Sequence, residues 1–323
     1  MGSASVIDRF PPSRPNIPAK PARVPVLQSQ PTAKVTLPNG HRIAYEEFGE
    51  PGGYPLFYFH DYGSSRLECA FLHSSAKSHG YRLIAADRPG IGWSDFYANA
   101  TAESVAVDTI LLADALQIER FGVLAVGSGG VFALALAHAC PHRVRQFTSL
   151  GGVPGSVFRE SRASSEVVRW MGQWVPSLLK CLVRCRWAML REHPAQNLQR
   201  LMDELSPADR SVLQDPAVRH TLAIDQLEVM RQGSLGLAQD LSNCYRKLGF
   251  NLADVSVLTT IWQGRSDSLS QRADCEFMAS QMPATHYHRI SNAGHFFFIN
   301  GVDSVFARLR GRERERVTPA LAA

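Results

Sequence analysis

The sequence predicts an α/β protein built on a mostly parallel central sheet, and three observations predict it. Short apolar runs alternate with stretches of helical periodicity. An Asn-Gly pair stands between two extended runs near the start. The alternation is broken once, over about 155–250, by helix after helix with no strand-like run. Alternation of this kind gives parallel strands joined by covering helices. An insertion within it lies above the carboxyl edge of the sheet, where open α/β folds bind ligands.

The elements follow in order. Residues 35–37 and 42–48 flank Pro38-Asn39-Gly40 and read as a β-hairpin. Residues 56–59 form a short apolar strand ending at His60, and 82–86 another ending at Asp87. Thr101 offers an N-cap for a helix whose Val105, Thr109, Leu112 and Leu116 recur at helical spacing. Residues 122–126 read as a buried strand, 129–139 as a helix of small residues and 146–150 as the next strand. Strands resume over 257–262 and 286–290, and a last helix covers 303–309. The division expected is a Pro-rich arm over 1–33, a core over 34–154 and 251–310, a helical cap over 155–250 and a tail over 311–323. Within the cap, Trp170, Trp174, Leu178, Leu179, Leu182 and Val183 suggest a helix packed over an apolar pocket, with Pro176 breaking any longer interfacial helix.

The chain has 323 residues, is 45% hydrophobic and 20% charged, and carries a net charge of +5. That suits a globular protein with a real core. The basic excess forms no stripe interleaved with aromatics, so nucleic-acid binding is not expected. Cysteines stand at 69, 140, 181, 185, 244 and 275, with no second pair to complete a zinc site. They read as reduced, buried thiols of a cytoplasmic protein. No secretory signal and no membrane-spanning run is expected. No Gly-x-Gly-x-x-Gly or P-loop precedes a helix, so no metal, nucleotide or flavin cofactor is expected.

Four segments carry the chemistry. His60-Asp61-Tyr62-Gly63 follows a strand, Asp87-Arg88-Pro89-Gly90-Ile91-Gly92-Trp93-Ser94-Asp95 follows the next, Gln263-Gly264-Arg265-Ser266-Asp267 follows a later one, and Ser291-Asn292-Ala293-Gly294-His295-Phe296 follows the last. Together they resemble the oxyanion loop, the Asp-Arg-Pro-Gly turn, the acid loop and the histidine loop of the α/β-hydrolase superfamily. The resemblance covers about 34–310 and keeps the family's order of elbow, acid and base. It implies an α/β-hydrolase fold with a helical cap insertion, and Asp267 and His295 as acid and base. The segment 232–240 resembles one common in the family's caps and is expected to position the cap.

The elbow departs from the pattern. The family's Gly-x-Ser-x-Gly lies at a sharp strand-to-helix turn. Aligning the strand and helix on either side without a gap places Gly127 at the nucleophile position, with Ser128 where an amide completes the oxyanion hole. The oxyanion loop departs too. Asp61 stands at the usual glycine, Gly63 at the usual proline, and Tyr62 at the residue whose amide faces the oxyanion. A carboxylate there opposes acyl transfer if it points in, and braces the loop if it points away. His60, Asp61, Tyr62 and Ser128 are thus the candidate oxyanion and substrate contacts.

Three readings stay open. One is an atypical enzyme acting on a small, largely apolar substrate under the cap, using the Asp267–His295 pair as general base for hydrolysis, a lyase or an isomerase step. Another is an esterase with Ser128 as a displaced nucleophile. The third is a ligand-binding protein without turnover. A serine introduced at 127 is expected to restore esterase activity if Gly127 stands at the nucleophile position. The oligomeric state is open.

Overall fold

The computed structural model describes residues 33–157, 163–192 and 202–309. All of the Pro-rich arm but Ala33 and the whole C-terminal tail lie outside them.

One eight-stranded sheet organises the molecule: β1 (Ala33–Thr36), β2 (Arg42–Gly49), β3 (Tyr54–Phe59), β4 (Tyr81–Ala86), β5 (Phe121–Val126), β6 (Val144–Leu150), β7 (Thr259–Gly264) and β8 (Thr285–Ile290). Their order is β1-β2-β4-β3-β5-β6-β7-β8. The β1–β2 hairpin and the β2–β4 pair are antiparallel, and every later pair is parallel. All six residues of β5 are buried, the continuous apolar run expected of a central parallel strand. In β8 every residue is half-buried, which is why this edge strand, Thr-His-Tyr-His-Arg-Ile, has so weak an apolar signal.

Helices α1 (His73–His79), α2 (Ala102–Ala115) and α3 (Gly130–Ala139) cover the strands of the first half. Thr101 caps α2 in a reciprocal capping box with Ser104, a device worth about 1 kcal/mol. Helix α1 was not evident in the sequence, because Ala76 is its one buried residue and sets no apolar period. One face of the sheet packs Phe121, Phe132, Leu112 and Phe147 into a core. The other packs Leu72, Tyr81, Leu83 and Phe306.

Between β6 and β7 the described elements longer than one turn are all helices: α4 (Ala163–Trp174), α5 (Pro176–Glu192), α6 (Pro207–Val212), α7 (Pro216–Val229) and α8 (Ser234–Tyr245). Pro176 opens α5 and ends the run from α4, as expected. Ser206 and Asp215 cap α6 and α7, each followed by a proline in the first turn. The buried face of α4 and α5 sets Met171, Leu179 and Val183 against Leu237 and Ala238 of α8. Trp170, Trp174, Leu178 and Leu182, expected to pack inward with them, are exposed instead. At about 100° per residue they fall along one flank of the stripe that α8 covers, about 60–100° away from Met171 and Leu179. After β7 come α9 (Arg272–Gln281) and α10 (Phe297–Gly301), and residues 303–309 are helical. Cys181 and Cys185 are exposed, whereas the other four cysteines are buried as expected, and all six are free thiols. Among the described residues no helix is long and apolar enough to cross a membrane.

Candidate active site

The carboxyl ends of β3, β5, β6, β7 and β8 converge, and each delivers one part of the site. After β3 come His60 and Asp61; after β5, Gly127 and Ser128; after β6, Gly151; after β7, Asp267; after β8, His295. This is the edge where open α/β sheets place ligands.

The acid and base meet. His295 Nδ1 lies 3.1 Å from Asp267 Oδ2. The other oxygen, Asp267 Oδ1, accepts from the amides of Leu269 and Ser270, each at 2.9 Å. The carboxylate is thereby fixed in place and in turn orients the imidazole. The loop before His295 turns through Asn292, which has φ +56°, a left-handed conformation that asparagine tolerates. Phe296 N donates to buried Asp209 of α6 at 2.7 Å. Gly151 faces the ring directly, since a Cβ on it would come 2.9 Å from His295 Cε1. Neither Asp209 nor Gly151 announced this role in the sequence.

The elbow turn belongs to Gly127. It has φ +45°, and Ser128 is not among the residues of positive φ. A Cβ on Gly127 would fall 2.7–2.8 Å from Oδ1, Cγ and Oδ2 of Asp61. The Asp61 carboxylate therefore fills the space that a side chain at 127 would take. Its Oδ1 accepts from Tyr62 N at 2.7 Å and from Ser128 N at 2.8 Å. These are the two amides that the resemblance assigned to the oxyanion hole. Its Oδ2 lies 3.5 Å from His295 Nε2, in ion-pair range but longer than a good hydrogen bond. Of the two directions open to Asp61, the carboxylate takes the inward one.

His295 thus sits between two carboxylates. Burial pushes its pKa down, but Asp267 and Asp61 together outweigh burial and hold it well above the ordinary histidine range. For Asp61, burial pushes upward, and the contact with His295 and the two amides overcome it and hold the carboxyl below its usual range. Both directions favour the charged forms, an imidazolium beside a carboxylate. Nε2 has no hydrogen-bond partner among the described residues.

Ser128 makes no hydrogen bond to His295 Nε2. Its hydroxyl neighbours the Cys244 thiol, while the nitrogen that would serve it faces Asp61. His60, expected at the substrate, is wholly buried. Its Nδ1 lies 2.9 Å from the Asp61 carbonyl. Burial first, then Arg88, drives its pKa well down, so the ring is neutral and braces the loop. Tyr62 packs against the apolar cluster of Met171, Leu179, Val183 and Leu237.

Ion pairs tie this loop to the insertion. Arg88 grips Asp240 of α8 with two bonds of 2.6 Å and donates to the His60 carbonyl at 2.6 Å. Asp240 belongs to the segment 232–240. Asp225 of α7 accepts from both hydroxyls of Ser64 and Ser65 and from Ser65 N. Glu68 accepts from Asp61 N at 3.0 Å. Among the described residues no group of histidines, cysteines and carboxylates could hold a metal ion.

A family model described as alpha/beta hydrolase fold matches residues 54–302. The chain belongs to the α/β-hydrolase family. A 2-hydroxy-6-oxononadienedioate/2-hydroxy-6-oxononatrienedioate hydrolase of Cupriavidus pinatubonensis is 25% identical over 222 residues, covering 67% of this chain and 71% of that protein. A thermophilic esterase from Thermogutta terrifontis has the same fold, with a TM-score of 0.64 at 20% identity over 88% of this chain and 98% of that one. So does an enol-lactonase from Burkholderia xenovorans, with a TM-score of 0.64 at 17% identity over 86% and 98%.

Proposed function

We propose that the chain is a hydrolytic enzyme that forms no serine intermediate and acts on a small, largely apolar substrate beneath the helical insertion. His295 and Asp267 move the proton. One observation carries the reading: the Asp61 carboxylate, rather than a hydroxyl, stands opposite His295 Nε2, over a glycine at the elbow. The intact Nδ1–Asp267 bond supports turnover, because it is the arrangement that orients a proton-transferring imidazole. Tyr62 and the apolar cluster beside it support an apolar substrate.

The Ser128 esterase reading has the geometry against it. No hydrogen bond joins its hydroxyl to His295 Nε2, and both oxyanion amides already hold a carboxylate. That carboxylate also opposes a substrate that would place an anionic oxygen there. The occupied hole favours a second reading, a binding protein that holds its ligand without turnover. The free thiols support a reducing, cytoplasmic setting.

The test pairs a fluorophosphonate probe with a panel of short-chain esters, lactones and epoxides. Wild type is expected to stay unlabelled while turning over members of the panel, with turnover lost in His295→Gln. Labelling that disappears in both Ser128→Ala and His295→Ala would overturn the proposal in favour of a displaced serine. Absence of turnover, with panel members retained by the folded protein, would decide for the binding reading.

A further inference from the structure

Six of the eleven large apolar side chains exposed among the described residues stand on α4 and α5: Val167, Trp170, Trp174, Leu178, Leu182 and Met189. A globular surface normally scatters such residues singly. Here they follow one another at intervals of three, four, four, four and seven residues, and the exposed Cys185 falls inside the last interval. At about 100° per residue that spacing keeps all of them on one stripe.

Pro176 does not interrupt the stripe. Val175 N donates to the Met171 carbonyl at 2.9 Å and Leu179 N to the Val175 carbonyl at 3.2 Å, so helical turns run up to the proline and away from it. A proline is tolerated in the first turn of a helix. The buried stripe of Met171, Leu179 and Val183 crosses the same junction against α8. Measured along the helices at about 1.5 Å per residue, the exposed stripe is roughly 30 Å long.

The charge around it is mostly of one sign. Arg184 and Arg186, both exposed, directly precede and follow Cys185, so one stands on each flank of the stripe. Lys180 is half-buried on the same helix. Among the residues of α4 and α5 whose exposure is described, Glu166 in the first turn of α4 is the one acid. Beside Arg184 an open cleft of about 390 Å³, lined also by Trp187, Met230 and Leu235, extends the apolar surface to the start of α8. A second copy docked face to face on this stripe would set arginines against arginines. Anionic headgroups would instead neutralise them, while the apolar side chains enter the acyl boundary, where tryptophan is favoured.

We infer that the α4–α5 face seats the protein on a membrane surface containing anionic phospholipid, with both helices lying in the interface. Trp170, Trp174, Leu178 and Leu182 enter the boundary of the acyl chains, and Arg184 and Arg186 reach out to the phosphates. The part of the molecule that touches the bilayer is then the insertion, whose other helices are bonded to the loops of the candidate site. The inference is independent of the chemistry proposed above.

The test mixes full-length protein with phosphatidylcholine vesicles, with and without phosphatidylglycerol, and separates bound protein by flotation. Wild type is expected to float with the anionic vesicles, less so as salt is raised, and to bind phosphatidylcholine alone more weakly. An arginine near an anionic surface contributes about fivefold to partitioning, so Arg184→Gln/Arg186→Gln is expected to lose on the order of 25-fold. Trp174→Ser/Leu182→Ser is expected to remain unbound even at low salt. All four side chains are exposed, and an unchanged circular dichroism spectrum and urea midpoint confirm that the variants are folded. Brominated acyl chains are expected to quench the tryptophan emission of wild type, and to quench that of Trp170→Phe/Trp174→Phe much less. Folded wild type that ignores anionic vesicles at low salt would overturn the proposal. So would binding undiminished in both double variants, which would put the lipid contact elsewhere on the chain. A dimer in sedimentation equilibrium that Leu182→Arg dissociates, without vesicle binding, would assign the face to a second copy instead.

Discussion

At the scale of the residue, one carboxylate decides what this site can do. Serine hydrolysis needs a hydroxyl opposite the imidazole and an empty pair of amides. Here Asp61 occupies both places. The charge on His295 is the most direct consequence. In a histidine-observed NMR titration, its imidazolium is expected to persist through neutral pH, and Asp61→Asn is expected to bring the transition down. The sign follows from the raised folded-state pKa. Stability from the pairing is whole below the ordinary histidine value and is lost as pH rises through the raised one. An unchanged transition in Asp61→Asn would mean that Asp267 alone holds the proton. How much of the site was legible in sequence divides at this residue. Asp267, His295 and the turn at 127 could be singled out because each follows a strand in a local motif. The direction of Asp61 was not, because it depends on a vacancy at Gly127, far along the chain. A lone serine at 127 would have to displace Asp61 from two amides and from His295.

At the scale of elements, carboxylates on the insertion hold the catalytic loops. Asp209 of α6 holds the histidine loop, Asp225 of α7 the oxyanion loop and Asp240 of α8 the arginine of the turn after β4. In sequence these residues read as ordinary helix acids, since their partners lie on distant strands. Asp225 carries a pH consequence. Burial pushes its carboxyl up to about 7, against the hydrogen bonds from Ser64 and Ser65. Glu68 beside it is likewise raised by burial, to about 8. In the unfolded chain both ionise near the ordinary carboxylate values, about 4. Between there and neutrality the folded protein holds protons that the unfolded chain has released, so stability falls as pH rises. Urea midpoints are expected to drop from pH 5 to pH 8 in wild type and to drop less in Asp225→Asn. Parallel slopes would show that Asp225 is ionised throughout.

At the scale of the whole molecule, the sheet gathers the groups of the candidate site and the insertion is bonded to the loops that carry them. The alternation of strands and helices was readable because central strands such as β5 are wholly buried runs. Edge strand β8 and helix α1 were harder to read, because half-burial leaves little periodicity. The insertion is joined to the core by ion pairs as well as by apolar packing. Arg88 and Asp240 are both buried, so truncating one strands the other's charge. Arg88→Ala is expected to cost about 3–5 kcal/mol in chemical unfolding and to loosen the oxyanion loop that Arg88 also holds. A loss below about 1 kcal/mol would place the pair among weak surface bridges.

The central claim is that Asp61 and Gly127 are one coupled replacement for the serine. The most direct measurement compares Gly127→Ser with Asp61→Gly/Gly127→Ser, using fluorophosphonate labelling and hydrolysis of p-nitrophenyl butyrate. The account predicts that the single variant stays inert, because the carboxylate still fills the hole, and that the double variant is labelled and hydrolyses the ester through His295. Labelling of the single variant as complete as that of the double would contradict it, since Asp61 would then occupy nothing that a serine hydrolase needs.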